Sequence, residues 1–282
     1  MKALYIFSLA AAVHGWAAAP EVIQAQELYQ RTEYSTSLEL LLRSSSRNAA
    51  ATQLIGQNYF MQGEFRKASE FLEQAAKLNP ESAETSLWAG RAFGRRAETA
   101  SPFTAPGFAA KARQYFEKAV ALDPSNREAL GDLFDYYVGA PGFLGGGEKK
   151  AEALAARVSE RDPAEGHYYQ AQLADRHKEY DNAERHLRSA LEIAPRQAGR
   201  FLDLARFLAK RGRTGESEAL FDEAAKISPT PKVQFERART YIGNGRNLSQ
   251  ARRLLEQYLK GPLTANDPSR EEAQALLKKI GE

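Results

Sequence analysis

The chain has 282 residues, with 39 lysines and arginines against 36 aspartates and glutamates, a net charge of +3 and no cysteine. The two signs of charge are interspersed along the chain, so it carries no electrostatic footprint of a nucleic-acid binder. The missing cysteine excludes a disulfide framework, a thiolate nucleophile, a cysteine metal site and a lipid anchor on an N-terminal cysteine. Alanine, leucine, glutamate, arginine and lysine dominate, a mixture that favours helix.

Residues 1–19 read as a secretory signal peptide. Lys2 supplies the positive start, ALYIFSLAAAV is an apolar run too short to span a bilayer, and Gly15, Ala17 and Ala19 are small residues for a peptidase. Cleavage after Ala19 would leave Pro20 first, so cleavage after Ala17 is the alternative. This leader predicts an exported protein. A cysteine-free exported chain fits a bacterial periplasm better than an animal secretion. No later segment reads as transmembrane.

Beyond residue 48 the sequence repeats itself. FLEQAAKLNP ends at Pro80, FEKAVALDP at Pro124, LAARVSERDP at Pro163, LRSALEIAP at Pro195 and FDEAAKISP at Pro229. Each reads as a helix with a large residue, a small one three later and a closing proline, which stops the helix because the residue before proline avoids helical angles. A second helix precedes each. Its mark is a small residue followed three positions on by a large one, as in Gly56 with Tyr59, Gly90 with Phe93 and Ala205 with Leu208. Turns such as QGEFRKA, HKEYDNA and RGRTGES join the two. Apolar residues recur at three- and four-residue spacing, so each helix has one dry face that a single pair cannot bury alone.

These features resemble the tetratricopeptide repeat family over most of the chain. Ala68, Ala112, Ala151, Ala183 and Ala251 stand at the small position of the second helix, and Tyr59, Phe93, Tyr137 and Leu208 at the large position of the first. The resemblance implies an all-α, right-handed superhelical solenoid of helix–turn–helix repeats, about 34 residues each. Six units are expected over 49–265, at 49–82, 83–126, 127–163, 164–197, 198–231 and 232–265. Residues 20–48 form a degenerate first repeat with Glu33 and Tyr34 in its turn, and 266–282 a C-terminal capping helix.

Two units are longer than the rest, with insertions near 95–109 and 140–147. Both hold the letters APGF, at Pro106, Gly107 and Phe108 and again at Pro141, Gly142 and Phe143. The second, APGFLGGGEKK, looks like a phosphate loop. However, Leu130 to Val138 reads as a helix where a strand is required, Glu148 follows Gly147, and no serine or threonine follows the lysines. Its glycines are instead expected to supply positive backbone angles in a tight connection. Loops of adjacent repeats project from one edge, so the two APGF loops are expected side by side. Phe103, Phe108 and Phe143 either form an apolar ledge there or fold back to plug the gap between repeats.

Little chemistry is legible. His167, His177 and His186 lie ten and nine residues apart, which places no two on one helical face, and there is no HExxH. Pairs such as Asp132 and Asp135 are common on helices, and no GxSxG elbow occurs. Neither a metal nor a cofactor is expected. In the tetratricopeptide family the first helices line the concave face. That resemblance implies a groove bearing Gln53, Gln57 and Phe60, then Arg91 and Arg95, Asp135, Tyr168, Gln172 and Asp175, and Arg206 and Lys210. The lysine–asparagine set that clamps a C-terminal carboxylate in some chaperone adaptors of the family is not visible. The expected function is a non-catalytic adaptor or scaffold of the cell envelope, binding a protein or peptide in the groove. The alternatives are a small-ligand or enzymatic site on paired APGF loops and a self-assembling structural scaffold.

Overall fold

The computed structural model describes residues 20–264 and 267–281. The expected leader, 1–19, lies outside the described residues, as do positions 265, 266 and 282. The described residues form fifteen α-helices and one 3-10 turn, with no strand. In chain order the helices are α1 (Pro20–Gln30), α2 (Tyr34–Arg43), α3 (Ala49–Met61), α4 (Phe65–Leu78), α5 (Ala83–Thr99), α6 (Ala105–Leu122), α7 (Arg127–Gly139) and α8 (Glu148–Ser159), followed by α9 (Pro163–Arg176), α10 (Tyr180–Ile193), α11 (Ala198–Lys210), α12 (Thr214–Ile227), α13 (Pro231–Gly243), α14 (Leu248–Lys260) and α15 (Arg270–Lys279). The 3-10 turn, Gly142–Leu144, lies between α7 and α8. Odd- and even-numbered helices pair, each pair packs on the next, and the whole is a helical-repeat solenoid.

One turn recurs inside five of the pairs. A residue with positive φ opens it, namely Thr32, Gly63, Lys178, Gly212 and Gly245. The next amide then donates back across five residues, as Glu64 N to Tyr59 O at 2.9 Å, Glu179 N to Ala174 O at 2.9 Å and Arg213 N to Leu208 O at 3.0 Å. This bond satisfies a carbonyl that the end of the first helix leaves free. Glycine meets the positive φ without strain, while Thr32 and Lys178 bear a modest cost there.

The five small-position alanines all lie fully buried where paired helices cross. Gly56 and Gly90 serve the same purpose in the first helices. A Cβ on Gly90 would meet the Phe116 ring at 2.5 Å, and one on Gly56 would meet Leu72 Cγ at 2.5 Å. Second helices such as α4 bury one stripe, Ala68, Ser69, Leu72, Ala75 and Ala76, and leave the other face more open to water. First helices such as α3 are buried on several sides, because each sits between its own partner and two neighbouring repeats. The α1–α2 pair joins the array through a buried polar chain. Asn58 Nδ2 donates to Ser37 Oγ at 2.9 Å, and Ser37 Oγ donates to Ala25 O at 2.8 Å. Arg270, at the start of α15, reaches back to Thr32 Oγ1 at 3.4 Å, so the coil brings its two ends together.

Three expectations need correction. Pro80, Pro124, Pro195 and Pro229 each lie just past the C-cap of a second helix, but Pro163 opens α9. Its missing N–H costs nothing at that first position, and Asp162 caps the helix by accepting from Glu165 N at 3.2 Å. The insertion near 95–109 is not a projecting loop. α5 and α6 are lengthened to 17 and 18 residues, leaving only 100–104 between them. Pro106, Gly107 and Phe108 therefore lie in the first turn of α6, while Pro141, Gly142 and Phe143 lie in the connection before α8. The two APGF segments do not make a matched pair of loops.

Candidate functional site in the concave groove

The first helices α3, α5 and α7 meet around an open pocket of about 460 Å³, on the face that the family resemblance assigns to the groove. Four of the expected groove residues line it: Phe60, Arg91, Arg95 and Asp135. Trp88 and Tyr136 complete its walls, and neither was expected from the sequence. The spacing of Trp88, Arg91 and Arg95 places them on one face of α5, which is the signal that could have found Trp88. Phe60 sits edge-on to Trp88 with ring centres 5.4 Å apart, and edge-on to Phe65 at 5.4 Å. The Arg91 guanidinium lies over the Trp88 ring at 5.1 Å, and that of Arg95 over Phe65 at 4.9 Å.

The arginines of this pocket are occupied. Arg91 Nε donates to Asp132 at 2.5 Å and its Nη2 to Glu128 at 2.9 Å, tying α5 to α7. Arg95 is paired with Glu98 on its own helix. Asp135 differs, because among the described residues its carboxylate has neither hydrogen bond nor ion pair. Desolvation by the concave walls, with the Asp132 carboxylate adding repulsion, pushes its pKa up to about 6. Water still reaches this carboxylate, so only part of that electrostatic burden bears on stability.

The remaining groove residues do other work. Gln57 is buried, and its Nε2 donates to Glu84 Oε1 at 3.4 Å. Gln53 accepts from the Thr85 hydroxyl, so both join unit to unit. Tyr168 lies partly buried among core residues beside Arg200, and burial pushes its hydroxyl above the ordinary phenol value. Gln172 is half-buried on the same helix. Asp175 accepts from Lys210 Nζ at 3.0 Å and from Arg211 at 2.5 Å. Arg206 joins a ladder that crosses three repeats. Arg200 pairs with Glu165 and Asp203, Asp203 accepts from Arg206 at 2.5 Å, and Glu236 accepts from Arg206 at 3.0 Å and from Arg239 at 3.2 Å.

Elsewhere the structure brings together two histidines that sequence spacing kept apart. His167 on α9 and His186 on α10 face each other with Nδ1 atoms 2.9 Å apart. Burial, then His167, then Arg185 hold the His186 pKa below its ordinary value. His177 instead contacts Glu148 at 2.5 Å. No group of three or more potential metal ligands occurs among the described residues.

The glycine-rich stretch is a turn that satisfies itself. Gly147 N donates to Tyr137 O at 2.8 Å, Tyr136 Oη to Leu144 O at 2.9 Å and Lys150 Nζ to Gly145 O at 2.8 Å. Gly145 and Gly147 have φ of +82° and +115°, and a Cβ on Gly146 would strike the Ala140 carbonyl. The expected phenylalanine group divides. Phe108 stacks on Phe93 at 6.4 Å under the Arg96 guanidinium, while Phe103 and Phe143 are 94% and 83% exposed. A second hollow of about 560 Å³ opens between α6 and α8, away from the groove. In its wall Tyr137 Oη donates to Glu117 at 3.0 Å.

Family models described as tetratricopeptide repeat match residues 49–82 and 176–235. No curated protein matches the chain in sequence. Among solved structures, a tetratricopeptide repeat protein from Parabacteroides merdae is 15% identical over 93% of this chain and 98% of its own, with a TM-score of 0.54. Human IFIT1, solved as a dimer with PPP-AAAA, is 17% identical over 74% of this chain with a TM-score of 0.50, and the match spans 55% of IFIT1. The C-terminal part of a TPR repeat-containing protein from Cytophaga hutchinsonii is 15% identical over 91% of this chain and 99% of its own, with a TM-score of 0.48. At these identities the first two likenesses concern the fold. The matched segments are tetratricopeptide repeats, and the same turn and buried crossing alanines recur in other helix pairs of the described residues.

Proposed function

We propose that the chain is a non-catalytic adaptor of a bacterial cell envelope that holds an extended segment of a partner protein in its concave groove. Tetratricopeptide repeats are protein-interaction scaffolds, and stacked repeats offer a continuous inner surface for this purpose. The observation that carries the reading is the pocket between α3, α5 and α7, where aromatic and charged side chains from three successive repeats converge. Arginine and large aromatic residues are the types that anchor protein interfaces. The leader-like character of residues 1–19 supports the envelope assignment. No helix among the described residues is long and apolar enough to cross a membrane.

A photo-crosslinking residue in place of Arg95, which is exposed at the pocket, tests the reading in an envelope extract. The expected result is a cross-linked partner whose attached peptide maps to one segment, and which is lost on Trp88→Ala. The same probe at Lys226, on a second helix, should capture nothing specific. Equal capture from both positions, or capture indifferent to Trp88→Ala in a folded protein, overturns the groove assignment.

A further inference from the structure

The charge of the pocket runs opposite to a first reading of its arginines. Two arginines and three carboxylates line it: Arg91 and Arg95 against Glu98, Asp132 and Asp135. Arg91 is spent on Asp132 and on Glu128 beyond the pocket wall, and Arg95 on Glu98. After these pairings no free cation is left at the pocket to receive a carboxylate from a partner. Among the described residues one anion of the pocket has no counterion, and it is Asp135. The rings of Phe60 and Trp88 stand at the same pocket. A carboxylate that shares a pocket with aromatic rings suits a cation, because ring faces carry partial negative charge and the carboxylate supplies the full charge.

We infer that the pocket between α3, α5 and α7 selects a lysine or arginine side chain of the bound segment, with Asp135 as its counterion and the rings of Phe60 and Trp88 as its walls. The inference rests on the groove reading above and names the partner chemistry of that site. It turns on how the groups around Asp135 are distributed. Asp132 on its own helix is already paired with Arg91, and the arginines of α5 hold their own carboxylates. From α9, Tyr168 and Tyr169 present hydroxyls kept neutral by burial. An incoming cation therefore displaces no existing partner of Asp135, and it relieves the repulsion between Asp132 and Asp135.

The test uses four tripeptides, acetyl-Ala-X-Ala-amide with X as arginine, lysine, glutamine or glutamate. They are titrated into the full chain carrying ¹³C-labelled aspartate carboxyls. The arginine and lysine peptides are expected to move the Asp135 carboxyl signal and lower its pKa, while the glutamine and glutamate peptides leave it in place. Asp135→Asn, which removes no internal hydrogen bond, should weaken the two cationic peptides about tenfold, the loss of one charge-assisted contact. Asp135→Glu should restore part of that loss. Binding of the glutamine or glutamate peptide as tightly as the arginine peptide overturns the inference and leaves the groove reading standing. A carboxyl signal unmoved by every peptide also overturns it, whatever the cross-linking at Arg95 shows. A cross-linking failure alongside a cation-specific shift would overturn the adaptor reading alone.

Discussion

The two halves of the groove use the same helix positions for different ends. In the C-terminal half, the first helices α9, α11 and α13 carry a ladder of Glu165, Arg200, Asp203, Arg206, Glu236 and Arg239, each ion-paired with its neighbour. The Arg200 and Asp203 side chains there are only 8% and 11% exposed. In the N-terminal half, one tie of this kind joins α5 to α7 through Arg91 and Asp132, and one turn further along α7 the unpaired Asp135 lines the same pocket as Phe60 and Trp88. A repeat can therefore spend its inner polar residues on fixing its neighbour or leave them for a partner. Where insertions lengthen α5 and α6 and break the regular turn, Asp135 is left unpaired among the described residues.

The seam between the halves should give the largest effect when broken. Phe134 of α7 is fully buried and stacks on Tyr169 of α9 with ring centres 4.2 Å apart. Phe134→Ala should cost about 3–5 kcal/mol in urea unfolding, through lost transfer energy and the cavity left behind. A loss under about 1 kcal/mol would mean that the seam does not couple the halves.

The contrast between Asp203 and Asp135 comes next. Asp203→Ala strands Arg200 and Arg206 with too few acceptors in a desolvated place, at a cost of about 3–5 kcal/mol. Asp135→Ala removes a carboxylate that holds nothing, and should stay within about 0.5 kcal/mol of the parent. Equal costs at the two sites, read by the same unfolding experiment, would erase the proposed difference between a structural and a receptive groove.

The smallest effect is the response to pH. The folded-state pKa of Asp135 is raised to about 6, above its ordinary value of 3.8. The folded protein therefore holds a proton on this group between roughly pH 4 and 6 that the unfolded chain releases, so the Asp135 contribution to stability rises as pH falls through that window. Binding of a cationic peptide moves the other way, since it needs the carboxylate and should fade as pH drops below about 6. His186 opposes the stability trend. Its folded pKa is depressed, so its contribution is lost as pH falls below its ordinary value of 6.5. Thermal melts of Asp135→Asn and His186→Gln between pH 4 and 8 should separate the two. Asp135→Asn should melt higher than the parent above pH 6 and no higher near pH 4. A pH profile left unchanged by Asp135→Asn would remove the special status of this carboxylate.

The repeat was legible in the residues because its determinants are local. The crossing alanines, the small residue before a large one and the positive-φ opening of the turn all lie within one helix pair, and van der Waals contact or a steric limit at φ decides each of them. Phe60, Arg91, Arg95 and Asp135 were named through the register that the family resemblance implies, and the structure brings these four to one pocket. Whether those residues are free was not legible. Arg91 is neutralised by Asp132, 41 residues away, and Arg206 by Glu236, 30 residues away, and such pairings depend on how one repeat rotates against the next. The same holds for the His167–His186 contact, which joins two helices, whereas the spacing argument considered only one.

The two APGF segments put the division in four letters. At 105–108 the residues that follow are helix formers, AAKARQYF, so the proline becomes the tolerated opening of α6. At 140–143 the residues that follow are LGGG, whose glycines do not propagate a helix, and the chain turns back onto Tyr136 and Tyr137 instead. Short-range sterics and propensity thus made the solenoid readable from residue order alone. The unpaired carboxylate of Asp135 follows from long-range charge pairing around it, which exists only once the repeats are stacked.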